Sequence, residues 1–559
     1  MSTGAIREQD DVNAALDELH LASQRLAGTT AEARAALARQ CLTGVAQVSD
    51  EWARTTAAAK GLEADSPWIG EELATGPMAI ARQLQLLAAS LEGFARTGTS
   101  PLPGAPHQDG RGRLRVPVLP VKGLYDGIAF KGFTAEVVME EGILEEDLPD
   151  HTARSLRRPE TGVSLVLGAG NVSSIAVADT IQHVLAEGQP TALKLHPHFD
   201  GLAPLLETAL GPLVRPGYIR IVRGGAEVGA AAAHDPRVHL VHVTGSRATF
   251  DRIVWGNGRE THEGRAQGTP SFDKRLVAEL GNVTPWIVVP GEWTDKEVRF
   301  QAENLAGSIL SNASFNCICP KVIVTSRRWR QRELFLETLR SILAAVPPRP
   351  AFYPGATQRF MELVGEPAGV APGHLPWTLL RDTDPDTRPE LFEQENFVCI
   401  TAETSLDEVE PAGFLEAATT FVNERTAGTL ATTIVVHPSQ RAAGPVGDAL
   451  ERAVERLRFG TVCINQFAGI SYLMMSTPWG GFPGSTLDDP GSGMGFAHNT
   501  YLLDGIEKTV FEGPFRISPK PLWFPSNRNT VGIGRALTEL YLRPSPLRVP
   551  SLLAQALRG

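Results

Sequence analysis

The chain has 559 residues, 42% of them hydrophobic and 21% charged, as in an ordinary globular protein, and this length predicts two or three domains rather than one core. A formal net charge of −11 argues against nucleic acid as the main partner, because neutralising phosphates needs a basic surface. No apolar run approaches the ~20 residues that span a bilayer, and the first residues lack the basic-then-apolar order of a signal peptide, so no membrane association is expected. The five cysteines (41, 317, 319, 399 and 463) form neither an even set nor a metal-ligand pattern. Cys317-Ile-Cys319 is one residue short of a redox C-x-x-C, and no His pair accompanies it at zinc spacing. The expectation is a reduced, cytoplasmic protein with no metal.

Residues 8–97 carry Ala, Leu, Glu, Gln and Arg with apolar residues at helical spacing, for example Ala33, Ala36 and Leu37, or Ile80, Leu84, Leu87 and Leu91. They read as a set of helices separated at Gly61 and Pro67. Residues 97–106 are a Pro/Gly/Ser connector, and residues 114–119 and 134–139 read as short strands or hairpins. The acidic stretch from Glu140 to Asp147 is read as a solvated loop.

From Gly162 the rhythm changes. β-like runs at residues 163–167, 191–195, 218–222 and 238–243 alternate with helical patterns at 174–186, 202–210 and 226–233. This alternation predicts βαβ units and a doubly wound parallel sheet, whose ligands lie beyond the carboxyl ends of the strands. Candidate positions are therefore Gly168-Ala-Gly170-Asn171, Lys194 and His196, Gly224-Gly225, and Thr244-Gly245-Ser246. The dinucleotide fingerprint is incomplete, with Ser173 at its third position and no acid about 20 residues on. Gly168 and Gly170 fit a tight turn equally well. Gly245-Ser246 opens the helical run 247–254, where it either offers backbone donors to a pyrophosphate or simply caps the helix.

Past Glu279, placed on a helix C-terminal turn, a second α/β region runs to about Trp479, with β-like runs at 286–289, 321–324, 397–400, 432–436 and 461–464. Within it, residues 311–320 join the helical run 295–310 to a β-branched run and hold Cys317 and Cys319 among Asn and Ser residues. A thiol at such a junction is a candidate nucleophile, favoured as thiolate if partly exposed beside polar donors; a buried cysteine acting as a small hydrophobe is the alternative.

Several of these motifs fall in the order of one family, and residues 162–495 resemble the aldehyde dehydrogenase superfamily. Asn171 matches its oxyanion asparagine, Lys194 the lysine at the adenosine ribose, and Gly225 to Gly229 followed by Thr244, Gly245 and Ser246 the path to the pyrophosphate-binding helix. Glu279-Leu-Gly281 matches the general-base segment, Asn312 to Cys317 the spacing to the nucleophile, and Glu395-Asn-Phe397 the pair at the nicotinamide ribose. Residues 460–465 and 478–481 match the closing segments. Departures are Ser314-Phe315 for Gly-Gln, Asn282 for a second Gly, and Val398-Cys399 for Gly-Pro. Phe315 is expected to narrow the pocket or shift the cysteine's environment. Spacing to Asn312 selects Cys317 over Cys319, which is read as a neighbour of the site.

The resemblance implies an α/β, aldehyde dehydrogenase-like fold: N-terminal helices and a Rossmann-type cofactor domain (1–279), a catalytic domain (280–480), and a closing segment (481–559). A β-arm for oligomerisation is expected from residues near 150–161 and from 506–533, with a homodimer or dimer of dimers as the assembly. It implies oxidation of an aldehyde to an acid by Cys317, Glu279 and Asn171, with cofactor-binding residues Lys194, His196, Gly225, Gly229, Thr244, Gly245, Ser246, Glu395 and Phe397. Pro197 stands where NAD-preferring relatives carry a glutamate, so NADP is expected to be accepted and favoured over NAD. The N-terminal helices and Pro519-Lys-Pro-Leu-Trp-Phe524 look most like the stand-alone dehydrogenases of phenylacetate degradation, implying a ring-opened semialdehyde carried as a coenzyme A thioester. A broad-specificity aldehyde dehydrogenase, a coenzyme A-acylating one, and a non-catalytic cofactor-binding scaffold are the alternatives.

Overall fold

The computed structural model describes residues 3–256, 264–266, 268–442 and 444–559. Helices Thr3–Ala27, Ala31–Ala59, Ile69–Leu73 and Ala79–Thr97 open the chain. The break between the first two falls ahead of Thr30, whose hydroxyl accepts a hydrogen bond from Ala33 N at 3.2 Å and caps the second helix. Ala38, Leu42, Val45 and Trp52 of one helix and Leu84, Leu87 and Leu91 of another join a core with Phe199, Leu206 and Leu213. Each such leucine, valine or phenylalanine side chain contributes roughly 1.5–3 kcal/mol on burial. Polar anchors add to this: Trp52 Nε1 donates to Ser173 Oγ at 2.9 Å, and Gln83 Nε2 to the Ala178 carbonyl at 2.9 Å. The helices are thus built into the body of the protein beside the segment carrying Asn171.

Strands β1 (His107–Gln108), β2 (Leu114–Leu119) and β3 (Thr134–Met139) follow. The predicted βαβ rhythm then produces β4 (Val163–Leu167), β5 (Thr191–Lys194), β6 (Ile219–Val222), β7 (Val238–Thr244) and β8 (Arg275–Glu279). All five are parallel, in the order β8-β7-β4-β5-β6. Their β-branched and aliphatic composition suits a sheet covered on both faces. The second sheet takes β9 (Trp286–Val288), β10 (Val322–Ser326), β11 (Thr378–Leu380), β12 (Ile400–Leu406), β13 (Ala431–Val435) and β14 (Thr461–Ile464). Of the closing strands, β15 (Gly493–Met494) returns antiparallel to β8 of the first sheet. The other, β16 (Ile506–Glu512), lies in the second sheet and joins β14 to the antiparallel β3-β2-β1 ribbon, completing ten strands.

Three expectations are corrected. Glu279 ends strand β8 rather than a helix. The run expected at 397–400 is a loop, because Phe397 adopts φ 47° and the strand begins at Ile400. Residues 150–161 hold a short helix, Arg154–Arg157, and one bridge from Thr152 to Leu503 instead of an arm strand. The ribbon lies in β2 and β3, and of the tail only 506–512 is strand, since Thr530–Leu542 is a helix.

Candidate active site

Two sheet ends and one loop deliver the catalytic candidates. Glu279 arrives on the last residue of β8, in register with Thr244 of β7, and is buried at 3% exposure. Cys317 arrives on the loop between helix Asp295–Leu310 and β10 and is half-buried. The two meet: the Cys317 thiol donates to Glu279 Oε1 at 3.0 Å. Burial pushes the Glu279 carboxyl up to about 7, with the thiol's hydrogen bond pulling the other way. The thiol is raised well above its ordinary range by burial and by the Glu279 and Glu395 charges. Burial thus disfavours the thiolate that partial exposure beside polar donors would favour, and Glu279 is placed to accept the thiol proton.

Asn171 follows β4 and is buried at 5% exposure. Its Nδ2 donates to the Phe315 carbonyl at 3.2 Å, which leaves its second amide proton for another acceptor. Asn312 Nδ2 ties the same residues together, donating to the Asn171 and Phe315 carbonyls at 2.9 Å each. The loop carrying these contacts is strained. Asn312, Ala313 and Ser314 stand at φ 50°, 55° and 68°, a left-handed conformation costing of order 1–3 kcal/mol per non-glycine residue. Lys321, fully buried, holds its C-terminal side by donating to Ser314 O and Oγ and to Val398 O at 2.8–2.9 Å. Phe315 is buried among Phe352, Tyr353 and Phe397 and is not among the residues walling the cavity at Cys317, so it does not narrow the cavity as expected.

That cavity, about 40 Å³, holds Cys317, Glu279 and Asn316 and is walled by Val172, Ile175, Phe467, Tyr472, Leu473 and Trp479. A second cavity of about 100 Å³ shares Thr75, Ser311, Phe467 and Leu473 with it, and its outer wall is Trp68, Leu522, Trp523, Phe524 and Pro525. Sequence reasoning missed Asn316, a buried amide beside the thiol; its position next to Cys317 was the available signal. It also missed Trp68 and Thr75, which sequence separation hides. Cys319 is fully buried, donates to Ser311 O at 3.3 Å, and is pushed up to about 12 by burial.

The cofactor candidates gather at the carboxyl ends of the first sheet. Lys194 ends β5, buried at 6% exposure. His196 caps the short helix Pro197–Leu202, accepts from His198 N at 3.2 Å, and lies so close to Gly170 that a Cβ there would meet its ring at 2.5 Å. Burial, then Lys194 and His198, lowers its pKa to about 4, so it is neutral. Gly225 opens helix Ala226–Ala233, and Gly229, one turn in, packs against Leu167. Gly225 brings no side-chain cap and faces open space. Gly245 N donates to the Glu279 carbonyl at 3.1 Å, and Thr244 Oγ1 to Asp179 at 3.3 Å. Ser246 Oγ accepts from Thr249 N at 3.2 Å, so its hydroxyl is spent on an ordinary helix cap. Glu395 and Phe397 sit on the far side: Glu395 lies against Gly281, raised by burial to about 7, and Phe397 packs on Tyr353. Among the described residues no cluster suited to a metal ion occurs, and no helix is long and apolar enough to cross a membrane.

Residues 121–354 match the model of the aldehyde dehydrogenase family. Comparison with curated proteins gives no match. Among solved structures, the chain is similar to an NAD-dependent aldehyde dehydrogenase from Sinorhizobium meliloti (TM-score 0.60, 18% identity, covering 90% of this chain and 86% of that one). It is similar also to aldehyde dehydrogenase 21 from Physcomitrella patens in complex with succinate (0.59, 16%, 90% and 90%). A third is glyceraldehyde-3-phosphate dehydrogenase from Methanocaldococcus jannaschii complexed with NADP (0.59, 14%, 90% and 95%). Identities this low speak to the fold, which agrees with the sequence match. The chain thus has an aldehyde dehydrogenase-like fold, and residues 121–354 match that family's model.

Proposed function

We propose that the chain oxidises an aldehyde to a carboxylic acid through a thioester on Cys317. The observation that carries this reading is the 3.0 Å hydrogen bond from the Cys317 thiol to buried Glu279. Glu279 takes the thiol proton as sulfur bonds to the aldehyde carbon, and the carbonyl pair moves to oxygen. The free Asn171 proton and the Cys317 backbone N–H are the proposed donors to that oxygen. Removing one such donor costs about 3–4 kcal/mol in related chemistry. A nicotinamide cofactor, when bound, supplies the hydride acceptor. Loss of hydride leaves the thioester; Glu279 releases the thiol proton to solvent, then deprotonates the water that attacks the thioester and returns that proton to the departing thiolate, giving acid and free thiol.

The residues fit a dinucleotide. The uncapped helix N-terminus at Gly225 opens onto free space, a setting that favours an anion, and Lys194 adds a cation at the neighbouring strand end. Lys194 and His196 are proposed to hold the adenosine side, the helix starts at Gly225 and Ser246 the phosphates, with Gly229, Thr244 and Gly245 shaping those turns, and Glu395 with Phe397 the nicotinamide side. Pro197 is exposed and brings no carboxylate to oppose a 2′-phosphate, which supports NADP as the favoured cofactor.

An apolar double cavity and a base bonded to the nucleophile support a hydrophobic aldehyde and hydrolysis rather than acyl transfer to coenzyme A. The phenylacetate-type semialdehyde remains the substrate we favour within that class: Leu522, Trp523 and Phe524, from the Pro-Lys-Pro-Leu-Trp-Phe motif, form the outer cavity wall. The five free cysteines support a reducing, cytoplasmic setting. We further propose the division at residues 279 and 480 as the domain boundaries, and a dimer or dimer of dimers as the assembly.

A spectrophotometric panel of aldehydes with NAD and NADP, each with and without coenzyme A, tests the reading. We expect a higher kcat/KM with NADP than with NAD, and free acid without coenzyme A. Strict dependence on coenzyme A with acyl-CoA as product contradicts hydrolysis. For Glu279 near 7, the base form is lost as pH falls, so kcat should rise from pH 6 to 8 and then level, as a pH–rate profile will show.

A further inference from the structure

A buried ion pair on the N-terminal helices reaches the strained loop before Cys317. Lys60 follows the last turn of helix Ala31–Ala59, and its side chain is 1% exposed. All three ammonium protons have acceptors: Glu72 Oε1 at 2.8 Å, Glu72 Oε2 at 2.9 Å and Asn312 Oδ1 at 2.8 Å. Glu72, fully buried, belongs to helix Ile69–Leu73. From the same helix Glu71 Oε1 accepts the Asn312 backbone N–H at 2.6 Å, and its other oxygen accepts from Arg349 at 2.8 Å. Side chain and backbone of Asn312 are thus both held from helices outside the two sheets.

Asn312 is the residue at which the backbone first turns left-handed, and its amide group bonds both Asn171 and Phe315. Left to itself, an Asn-Ala-Ser stretch does not hold that conformation. A buried ion pair is itself a weak stabiliser that apolar residues often replace without loss. What apolar residues do not supply is a donor for Asn312 Oδ1, which fixes the amide so that both its protons point at the Asn171 and Phe315 carbonyls.

We infer that the Lys60–Glu72 pair is a positioning device for the reaction: it orients Asn312, and through Asn312 the oxyanion asparagine Asn171 and the cysteine loop. The N-terminal helical layer is then part of the active site's framework. This rests on Cys317 as the nucleophile, so Cys317→Ala is assayed alongside; if that variant stays active, the nucleophile assignment fails independently of the Lys60 result.

The test uses the full chain carrying Lys60→Met and Glu72→Met together, which removes both charges at similar volume. Steady-state kinetics, binding of the reduced cofactor by fluorescence, and thermal melting are measured. We expect kcat to fall roughly 10- to 100-fold, as misplacement by about an ångström costs, with cofactor affinity unchanged. Adding Asn312→Leu to the double variant should cost little more, because both changes break one chain of contacts. An unchanged kcat overturns the inference, as do parallel losses in kcat and cofactor affinity or losses that add with Asn312→Leu. If the double variant does not fold, Asn312→Asp takes its place: it keeps an acceptor for Lys60 but loses the two donors. The same kcat-specific loss supports the inference, and an unchanged kcat overturns it.

Discussion

Replacing Cys317 with alanine is expected to lower aldehyde-dependent cofactor reduction by on the order of 10⁴-fold or more, the loss that follows removal of a nucleophile from an acyl-transfer site. The change deletes one sulfur from a half-buried position, so melting temperature should shift little. Cys319 offers no substitute two residues away. It is fully buried, its thiol bonds the Ser311 carbonyl, and burial holds its pKa near 12. Cys319→Ala should therefore leave most activity in place. Initial rates with a fixed aldehyde distinguish the two variants, and a reversal of their effects would assign the chemistry to Cys319 instead.

Glu279→Gln is the second large effect. Glutamine keeps the shape at the end of β8 but does not accept a proton, so both thiol activation and thioester hydrolysis weaken. General-base loss costs roughly 10²–10⁴-fold in kcat. Hydrolysis has no other base in the described cavity, whereas acylation still proceeds through the small thiolate fraction present at high pH. We expect a single equivalent of reduced cofactor to form slowly, followed by near arrest. Stopped-flow absorbance at alkaline pH reads this directly. Continued steady turnover would show that Glu279 is not the hydrolytic base.

Much of this site was legible in order but not in contact. Hydrophobic alternation located β4 to β7 and the helix Ala226–Ala233, because parallel strands buried on both faces leave an apolar signature. β8 was not read as a strand: it is five residues long and begins and ends on charged side chains. Hence the sequence suggests a helical turn at Glu279 where the structure has a strand end. Likewise Phe397 looked like the start of a β-run, but its positive φ delays the strand to Ile400. Nor does the sequence mark that strands 114–119 and 134–139 join the tail strand 506–512 in one sheet, since pairing partners hundreds of residues apart leave no local sign.

Protonation and reach were the least legible. Nothing in Ser-Phe-Asn-Cys tells that the thiol is pushed up by burial against a carboxyl rather than exposed as thiolate. Nor does spacing reveal that Lys60 lies 252 positions from the asparagine it bonds. Helical periodicity marks the apolar side chains that residues 8–97 send inward, such as Ile80, Leu84, Leu87 and Leu91, but not that the charged Lys60 and Glu72 turn inward too.

The most direct test of the account is intact-protein and peptide mass spectrometry of Glu279→Gln after incubation with an aldehyde and oxidised cofactor. The account predicts a stable acyl adduct on the peptide containing Cys317, heavier than the free peptide by the aldehyde less two hydrogens. Absence of any adduct, or one that localises to Cys319, would contradict it.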